Sequence, residues 1–344
     1  MIVKNEEKTL KKCLESVKDI VDEIIIVDTG SKDKTKEIAR KYTKKVYNFK
    51  WVDDFSKARN YSFSKATKDY ILWLDADDVI LKKDKDKLIK LKKELNENTD
   101  IVMMKYVTSI NPPFSYYRER LLKRKKEYKW KSPVHEVIEL NGNIIYTDIN
   151  ITHKSIKKEY STRNLDIYEK NIKDGYILDA RETYYYAREL MYHKKYCKAI
   201  MLYNKFLNMS NAWIENKINA CIDLSSCYKS LKCEDMYLAS LFKSFELDKP
   251  RAQVCCLIGI DFMQKEKYDL AIYYFKLALK DKPNYKSGAF IQEDYYHFIP
   301  YINLCYCYSK LSKYKQAKKY NDKAKLIHKD NELVKINSNF LNNC

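Results

Sequence analysis

An α/β domain followed by an all-α domain of helical repeats is the fold class this sequence predicts, and three observations predict it. The first 80 residues contain apolar runs that each stop at turn-forming polar residues: Ile2-Val3 before Lys4-Asn5, Ile24 to Val27 before Asp28-Thr29-Gly30-Ser31, and Ile71 to Leu74 before Asp75-Ala76-Asp77-Asp78. Such runs read as strands buried on both faces, as in parallel sheets whose ligands gather at the C-terminal strand edge. Between them, apolar residues recur at helical spacing. Beyond about residue 180 the sequence repeats itself, which is the signature of stacked helical units. With 344 residues the chain exceeds what one core usually holds, so two domains are expected. We place the α/β domain at 1–155, a polar helical linker at 156–180 and the repeats at 181–344.

Taken in order, Met1-Ile2-Val3 is a strand fragment followed by a helix carrying Leu10, Cys13, Leu14 and Val17. Only three apolar residues precede the turn, fewer than a central strand usually has, so this strand reads as lacking its beginning. Ile24 to Val27 is the next strand. Gly30 permits its turn and Ser31 is placed to cap the helix that carries Ile38 and Ala39. A short strand near Val46 leads to Trp51-Val52-Asp53-Asp54 and a helix from Phe55 to Ala66, and the strand ending in the acidic cluster follows. This β-α-β-α-β-α-β order calls for right-handed crossovers and one parallel sheet.

Residues 101 to 155 change character. Ile101 to Val107 and Tyr116 to Leu122 read as strands around a break at Asn111-Pro112-Pro113, and a turn at Asn141-Gly142-Asn143 separates later strands that end at His153. Antiparallel strands and hairpins fit this part better than helices. The repeats come next. Gly259, Phe262, Ala271, Phe275, Ala278 and Pro283 have the spacing of a tetratricopeptide repeat. Leu304, Tyr308, Ala317 and Ala324 reproduce most of it, as do Ala187, Ala199, Tyr203 and Phe206, with a looser copy at Leu224, Tyr228, Leu238, Phe242 and Pro250. Four units meet the minimum for a stable stack, and residues around Ser287 to Asp294 read as an insertion.

The net charge is +19, and the excess is spread over both halves, which argues against a dedicated nucleic-acid arm. The one dense basic run is Arg118 to Lys131. It reads as a solvated strand pair or as a contact for phosphate or an acidic acceptor. The ten cysteines sit singly or as neighbours inside helical patterns, so they are expected to be reduced core residues of a cytoplasmic protein. No apolar run approaches the roughly 18 residues a membrane span needs.

Four ordered blocks carry a resemblance: Met1-Ile-Val-Lys-Asn-Glu-Glu7, Val27-Asp-Thr-Gly-Ser-Lys-Asp-Lys-Thr35, Trp51-Val-Asp-Asp-Phe-Ser-Lys-Ala-Arg-Asn60 and Trp73-Leu-Asp-Ala-Asp-Asp78. Together they resemble the successive motifs of family 2 glycosyltransferases, whose catalytic domain has the Rossmann-like GT-A fold. The layout with helical repeats is similar to the peptide glycosyltransferases, of the sublancin S-glycosyltransferase kind, that modify Cys or Ser of bacteriocins. The resemblance implies an inverting, metal-dependent transfer from a UDP-sugar to a peptide or protein acceptor recruited by the repeats. It leaves open an acceptor among cell-envelope glycans or lipids, with peripheral membrane contact through the basic run. Exposed repeats are also compatible with a homodimer.

The chemistry distributes over few residues. Asp28 could accept from uracil N3–H, with Val3 and Asn5 bordering the same slot, although Asp28 could instead cap the following helix and Asn5 could be a turn residue. Arg59 and Asn60 lie where the resemblance implies a nucleotide contact; a structural pairing of Arg59 with Asp53 or Asp54 is the rival. The small Ala76 lets one turn aim Asp75 and Asp77 at a hard cation and the diphosphate it neutralises. We assign Asp77 and His153 as ligands of Mg²⁺ or Mn²⁺ and Asp75 to the ribose or a metal-bound water. Glu136 or His135 is the expected base for the acceptor proton, with Asp78 a further candidate. Trp73 and Trp130 read as core aromatics.

Overall fold

The computed structural model describes residues 1–110, 113–154, 161–285 and 287–343. Asn111-Pro112 of the expected break and residues 155–160 therefore lie outside the described residues. The chain divides into two compact units, Met1–Ile177 and Leu178–Cys344.

The first unit opens with β1 (Ile2–Val3), α1 (Leu10–Val17), β2 (Ile26–Asp28), α2 (Thr35–Arg40), β3 (Val46–Asn48) and α3 (Phe55–Ser64). The three strands pair in parallel in the order β1-β2-β3, with Val3 opposite Asp28. That register brings the ends of two strands side by side at one edge. Helix α1 serves two cores because its apolar residues occupy two adjoining stripes. Leu10 and Leu14 pack with Val3, Ile26 and Ala39, whereas Cys13 and Val17 pack with Leu74 and Ile80.

β4 (Tyr70–Leu72), β5 (Asp78–Val79), α4 (Lys82–Glu94), β6 (Ile101–Ile110), β7 (Pro113–Lys123), β8 (Trp130–Lys131), β9 (Val137–Ile138), β10 (Ile144–His153) and α5 (Arg163–Lys173) complete the unit. Five of these strands form a mixed sheet in the order β4-β7-β6-β10-β5, and β8 pairs with β9. Alternation along β6 builds a core on each face: Val102 and Met104 join Leu88, Ile149 and Ile151 on one, and Ile101 and Met103 join Trp73, Leu122, Trp130 and Ile138 on the other. Trp73 and Trp130 are thus core aromatics, as their sequence context implies.

Two expectations are corrected here. The acidic strand does not continue a parallel sheet: β4 is three residues long and antiparallel to β7, with Ile71 opposite Leu122. The apolar pair Leu121-Leu122 gives it a better partner, and Trp73 and Leu74 enter the cores as irregular chain before the acidic turn. Nor is the region after residue 101 antiparallel throughout, since β10 runs parallel to β6 and antiparallel to β5. The hairpins between β6 and β10 supply the length a parallel return requires. Helix α5 belongs to this unit, with Leu165, Ile167 and Tyr168 buried.

The basic run is largely engaged. Arg118 pairs with Glu119, Arg120 with Asp78, Lys126 with Asp100 and Lys131 with Glu139. Lys123 and Arg124 donate to the carbonyls of Glu97 and Lys68. Exposed Lys125 and Lys129 are what remain, so the run is not a continuous cationic face.

The second unit is made of α6 (Ala180–Tyr192), α7 (Tyr196–Leu207), α8 (Ile214–Ser230), α9 (Glu234–Lys243), α10 (Ala252–Gln264), α11 (Tyr268–Ala278), α12 (Phe298–Lys310), α13 (Tyr314–Ile327) and α14 (Glu332–Leu341). The first eight pack as four helical hairpins, α6 on α7 through α12 on α13, matching the four repeats. Small residues sit where helices cross: Ala187, Ala199, Ala271, Ala278, Ala317 and Ala324 are all fully buried. Gly259 marks a close crossing, because a Cβ there would lie 2.8 Å from Cε1 of the buried Phe275. We expect Gly259→Val to destabilise the protein by about 1–3 kcal/mol through overpacking; an unchanged denaturation midpoint would contradict this packing. The expected insertion is the long connection between α11 and α12, which contains a 3₁₀ turn at Glu293–Tyr296.

Among the described residues all nine cysteines are free. Seven are buried, as expected of core residues, but Cys197 and Cys233 are exposed. No helix among the described residues is long and apolar enough to cross a membrane.

Candidate functional site

Parallel pairing of β1 with β2 assembles the first group of predicted residues. Val3 lies opposite Asp28, and its carbonyl accepts from Thr29 N at 2.9 Å. Asn5 follows in left-handed backbone (φ 55°), which turns its amide toward the next loop. Its Oδ1 accepts from Lys32 N at 2.8 Å and its own N donates to Ser31 Oγ at 3.0 Å. The buried Asp28 accepts from Gly30 N at 3.0 Å and from Ser31 N at 3.1 Å. Asp28 therefore shapes the turn after β2 and does not cap α2, and it sits at the C-terminal edge of β2. Ser31 does not cap α2 as expected. The N-cap position is Lys34, which makes no side-chain cap bond, and the preceding Asp33 accepts from Thr35 N at 3.0 Å.

The acidic turn lies against this edge, because Ala76 is buried in the same cluster as Val3 and Ile26. The turn is built internally: Asp78 N donates to Asp75 O and Asp75 N donates to Asp78 Oδ2, both at 3.0 Å. Asp78 is fully buried, and its Oδ2 also accepts from Arg120 Nη1 at 2.9 Å. Arg120 is itself only 1% exposed, with its guanidinium 3.9 Å from the centre of the Trp73 ring and 4.4 Å from that of Tyr106.

Asp77 and Asp78 converge on His153, delivered by the antiparallel pairing of β10 with β5, in which His153 is opposite Asp78. His153 Nδ1 is 3.4 Å from Asp77 Oδ1 and 3.6 Å from Asp78 Oδ1, and Tyr106 Oη is 2.8 Å from the same nitrogen. One ligand atom from each of Asp77, Asp78 and His153 lies within 4.8 Å of the others. Asp78 Oδ1 is buried and has no hydrogen-bond partner. Two carboxylates and an imidazole suit a small divalent cation, and an orphaned carboxylate oxygen aimed into the cluster is what such an ion would satisfy, so the residues fit a metal. Asp77 and His153 are the residues predicted from sequence; Asp78 joins them, having been read only as a possible base.

The carboxylates of Asp77 and Asp78 push the His153 pKa from 6.5 up to about 10, outweighing burial. The sign follows: a folded-state pKa above the unfolded one gives stability that is full below about pH 6.5 and lost as pH rises through about 10. In chelator, the stability advantage of wild type over His153→Gln should shrink across that window. A pH-independent difference in denaturation midpoints would contradict it.

Arg59, Asp75 and Glu136 form a second cluster. Arg59 Nε donates to Glu136 Oε1 at 2.6 Å and Nη2 donates to Asp75 Oδ1 at 2.9 Å. The rival pairing of Arg59 with Asp53 or Asp54 is absent: Asp53 pairs with Lys170, and Asp54 caps α3 by accepting from Lys57 N at 3.0 Å. Burial raises the Asp75 pKa, but the Arg59 and Arg120 charges outweigh it and hold the carboxyl below its usual range. Asn60 is committed elsewhere. Its Nδ2 donates to Trp130 O at 2.9 Å and its Oδ1 accepts from Trp130 N at 2.8 Å. His135 adjoins Glu136 in left-handed backbone (φ 52°) and is half-buried.

Sequence reasoning missed Arg120 and Tyr106. An arginine inside a strand whose neighbours Leu121 and Leu122 pack inward is the signal for the first, since a buried guanidinium requires a carboxylate partner. Nothing in the sequence singles out Tyr106 from the other tyrosines.

Residues 1–154 match Glycosyl transferase family 2. The chain is 29% identical over 228 residues to the SPbeta prophage-derived glycosyltransferase SunS of Bacillus subtilis, covering 60% of this chain and 52% of that one. It is 36% identical over 142 residues to a TPR repeat-containing protein of Synechococcus elongatus, covering 40% of this chain and 34% of the relative. The chain thus spans between a third and about half the length of these curated relatives. Among solved structures, the TPR protein YrrB, described as having an unusual peptide-binding site, aligns with a TM-score of 0.37 at 19% identity over 50% of this chain and 80% of its own. The first unit of this chain is a glycosyl transferase family 2 domain, followed by a unit of tetratricopeptide-like helical repeats.

Proposed function

We propose that the chain is an inverting glycosyltransferase that moves a sugar from a UDP-linked donor to a side chain of a peptide or protein. The observation that carries this reading is the Asp77, Asp78 and His153 cluster, set beside the strand edge formed by Val3, Asn5 and Asp28. A nucleoside diphosphate needs a slot for its base next to a centre of positive charge, and these two groups share the Ala76 turn.

Each residue then has a task. Val3, Asn5 and Asp28 border the base, Asp75 faces the ribose, and Asp77, Asp78 and His153 would hold Mg²⁺ or Mn²⁺. When bound, that ion neutralises the charge that builds on the departing diphosphate. Glu136 is the residue we assign to take the acceptor proton, with His135 beside it as the alternative. Tyr106 holds the His153 ring by its hydroxyl, and Arg120 anchors Asp78 inside the core through their 2.9 Å ion pair. The helical unit is assigned to the acceptor. The resemblance of the layout to bacteriocin peptide glycosyltransferases supports a polypeptide as that acceptor, and the internal engagement of the basic run weakens the alternative of an anionic lipid.

Release of UDP from UDP-glucose or UDP-N-acetylglucosamine tests the reading. We expect slow hydrolysis that requires Mn²⁺ or Mg²⁺, accelerated when an acceptor peptide is supplied. Absence of turnover with either donor, combined with GDP-sugar turnover, would overturn the donor assignment.

A further inference from the structure

Arg59 is placed unlike a diphosphate ligand. Its fork is divided between two carboxylates on different elements: Asp75 in the acidic turn after β4, and Glu136 just before β9. Its side chain is 11% exposed, and its guanidinium lies 5.1 Å and 4.9 Å from the ring centres of Trp73 and Trp130. The helix that carries it is pinned as well. The next residue, Asn60, grips the main chain of Trp130 through two hydrogen bonds. To reach a phosphate, Arg59 would have to abandon two charge-assisted bonds and its contact with two indoles.

Resting on the glycosyltransferase reading, we infer that Arg59 is a positioning residue that braces the donor-side carboxylate Asp75 against the acceptor-side carboxylate Glu136, and that it acts through them and not on the diphosphate. A planar guanidinium sets the angle and separation of two carboxylates at once, which a lysine ammonium cannot do. The brace couples donor binding to acceptor deprotonation, because Asp75 cannot shift without disturbing Glu136. Its loss therefore changes both the donor KM and kcat.

The test is a pair of double-mutant cycles on UDP-glucose hydrolysis with Mn²⁺, combining Arg59→Lys with Glu136→Gln for kcat and with Asp75→Asn for donor KM. The brace predicts that Arg59→Lys adds no more than about twofold to the loss already caused by either carboxylate variant. It also predicts that Arg59→Lys falls as far as Arg59→Met. A phosphate ligand predicts the reverse: the lysine, still a point charge for phosphate, retains much of the activity, and the losses multiply. Either of those results overturns the inference. The isosteric Glu136→Gln and Asp75→Asn variants keep the test readable should Arg59→Met not fold. Wild-type protein that turns over no donor and is not stabilised by UDP would overturn the underlying enzyme reading and the brace with it, whereas an active wild type with additive losses would overturn the brace alone.

Discussion

Asp77→Ala is expected to abolish metal-dependent donor turnover while leaving the protein folded. Asp77 is partly exposed and contributes an oxygen that lies 3.4 Å from His153 Nδ1, so its removal opens the cluster without uncovering a core. Altering the partners that merely orient metal ligands typically costs about 10–100-fold in affinity or activity, and loss of a ligand should exceed about 100-fold. Titrating Mn²⁺ against UDP release measures this. A variant that keeps wild-type Mn²⁺ dependence would place the ion elsewhere. His153→Gln should lose activity in the same direction, since β10 brings that imidazole to the cluster and no other described His, Cys, Asp or Glu completes such a group.

The largest loss of stability is expected from Arg120→Met. Arg120 and Asp78 are 1% and 0% exposed at their side chains and are bonded at 2.9 Å, so removing the cation leaves a buried carboxylate without its partner. Breaking a buried pair in this way costs about 3–5 kcal/mol. The same Asp78 oxygen holds Asp75 N, so the acidic turn should loosen with it and activity should fall beyond what the lost stability explains. Chemical denaturation at neutral pH reads the first effect. A cost below about 1 kcal/mol, the range of an exposed pair, would show that water reaches the site. Replacing both partners, Arg120→Met with Asp78→Leu, should recover part of the stability and none of the turnover.

Much of this architecture could be read in the chain because the relevant signals are local. Ile24 to Val27 ends in Asp28 within a single run, and parallel pairing with Ile2-Val3 then sets Val3 opposite Asp28 without further information. Helical repeats are equally local: Gly259 and Phe275 meet because one hairpin brings them together. Partner choice over distance was not legible. That β4 pairs with β7, and β10 runs parallel to β6, depends on which apolar strand competes best, and several strands in this chain are equally apolar. The site shows the same division. Asp77 and His153 stand out as a strand-end acid and a late histidine, but whether Arg59 faces Asp53, Asp54 or the more distant Asp75 and Glu136 is settled by the fold. Asp78, one residue from Asp77, becomes a candidate ligand only once β5 has paired with β10 and turned its unpartnered oxygen toward His153.

Isothermal titration of UDP into the protein, with and without Mn²⁺, most directly tests the claim that the acidic turn and the β1–β2 edge form one nucleotide-diphosphate site. The account predicts measurable binding of UDP with the cation, strong weakening in chelator, and the same weakening in Asp77→Ala with Mn²⁺ present. Binding of equal strength in all three conditions, or binding of GDP in place of UDP, would contradict it.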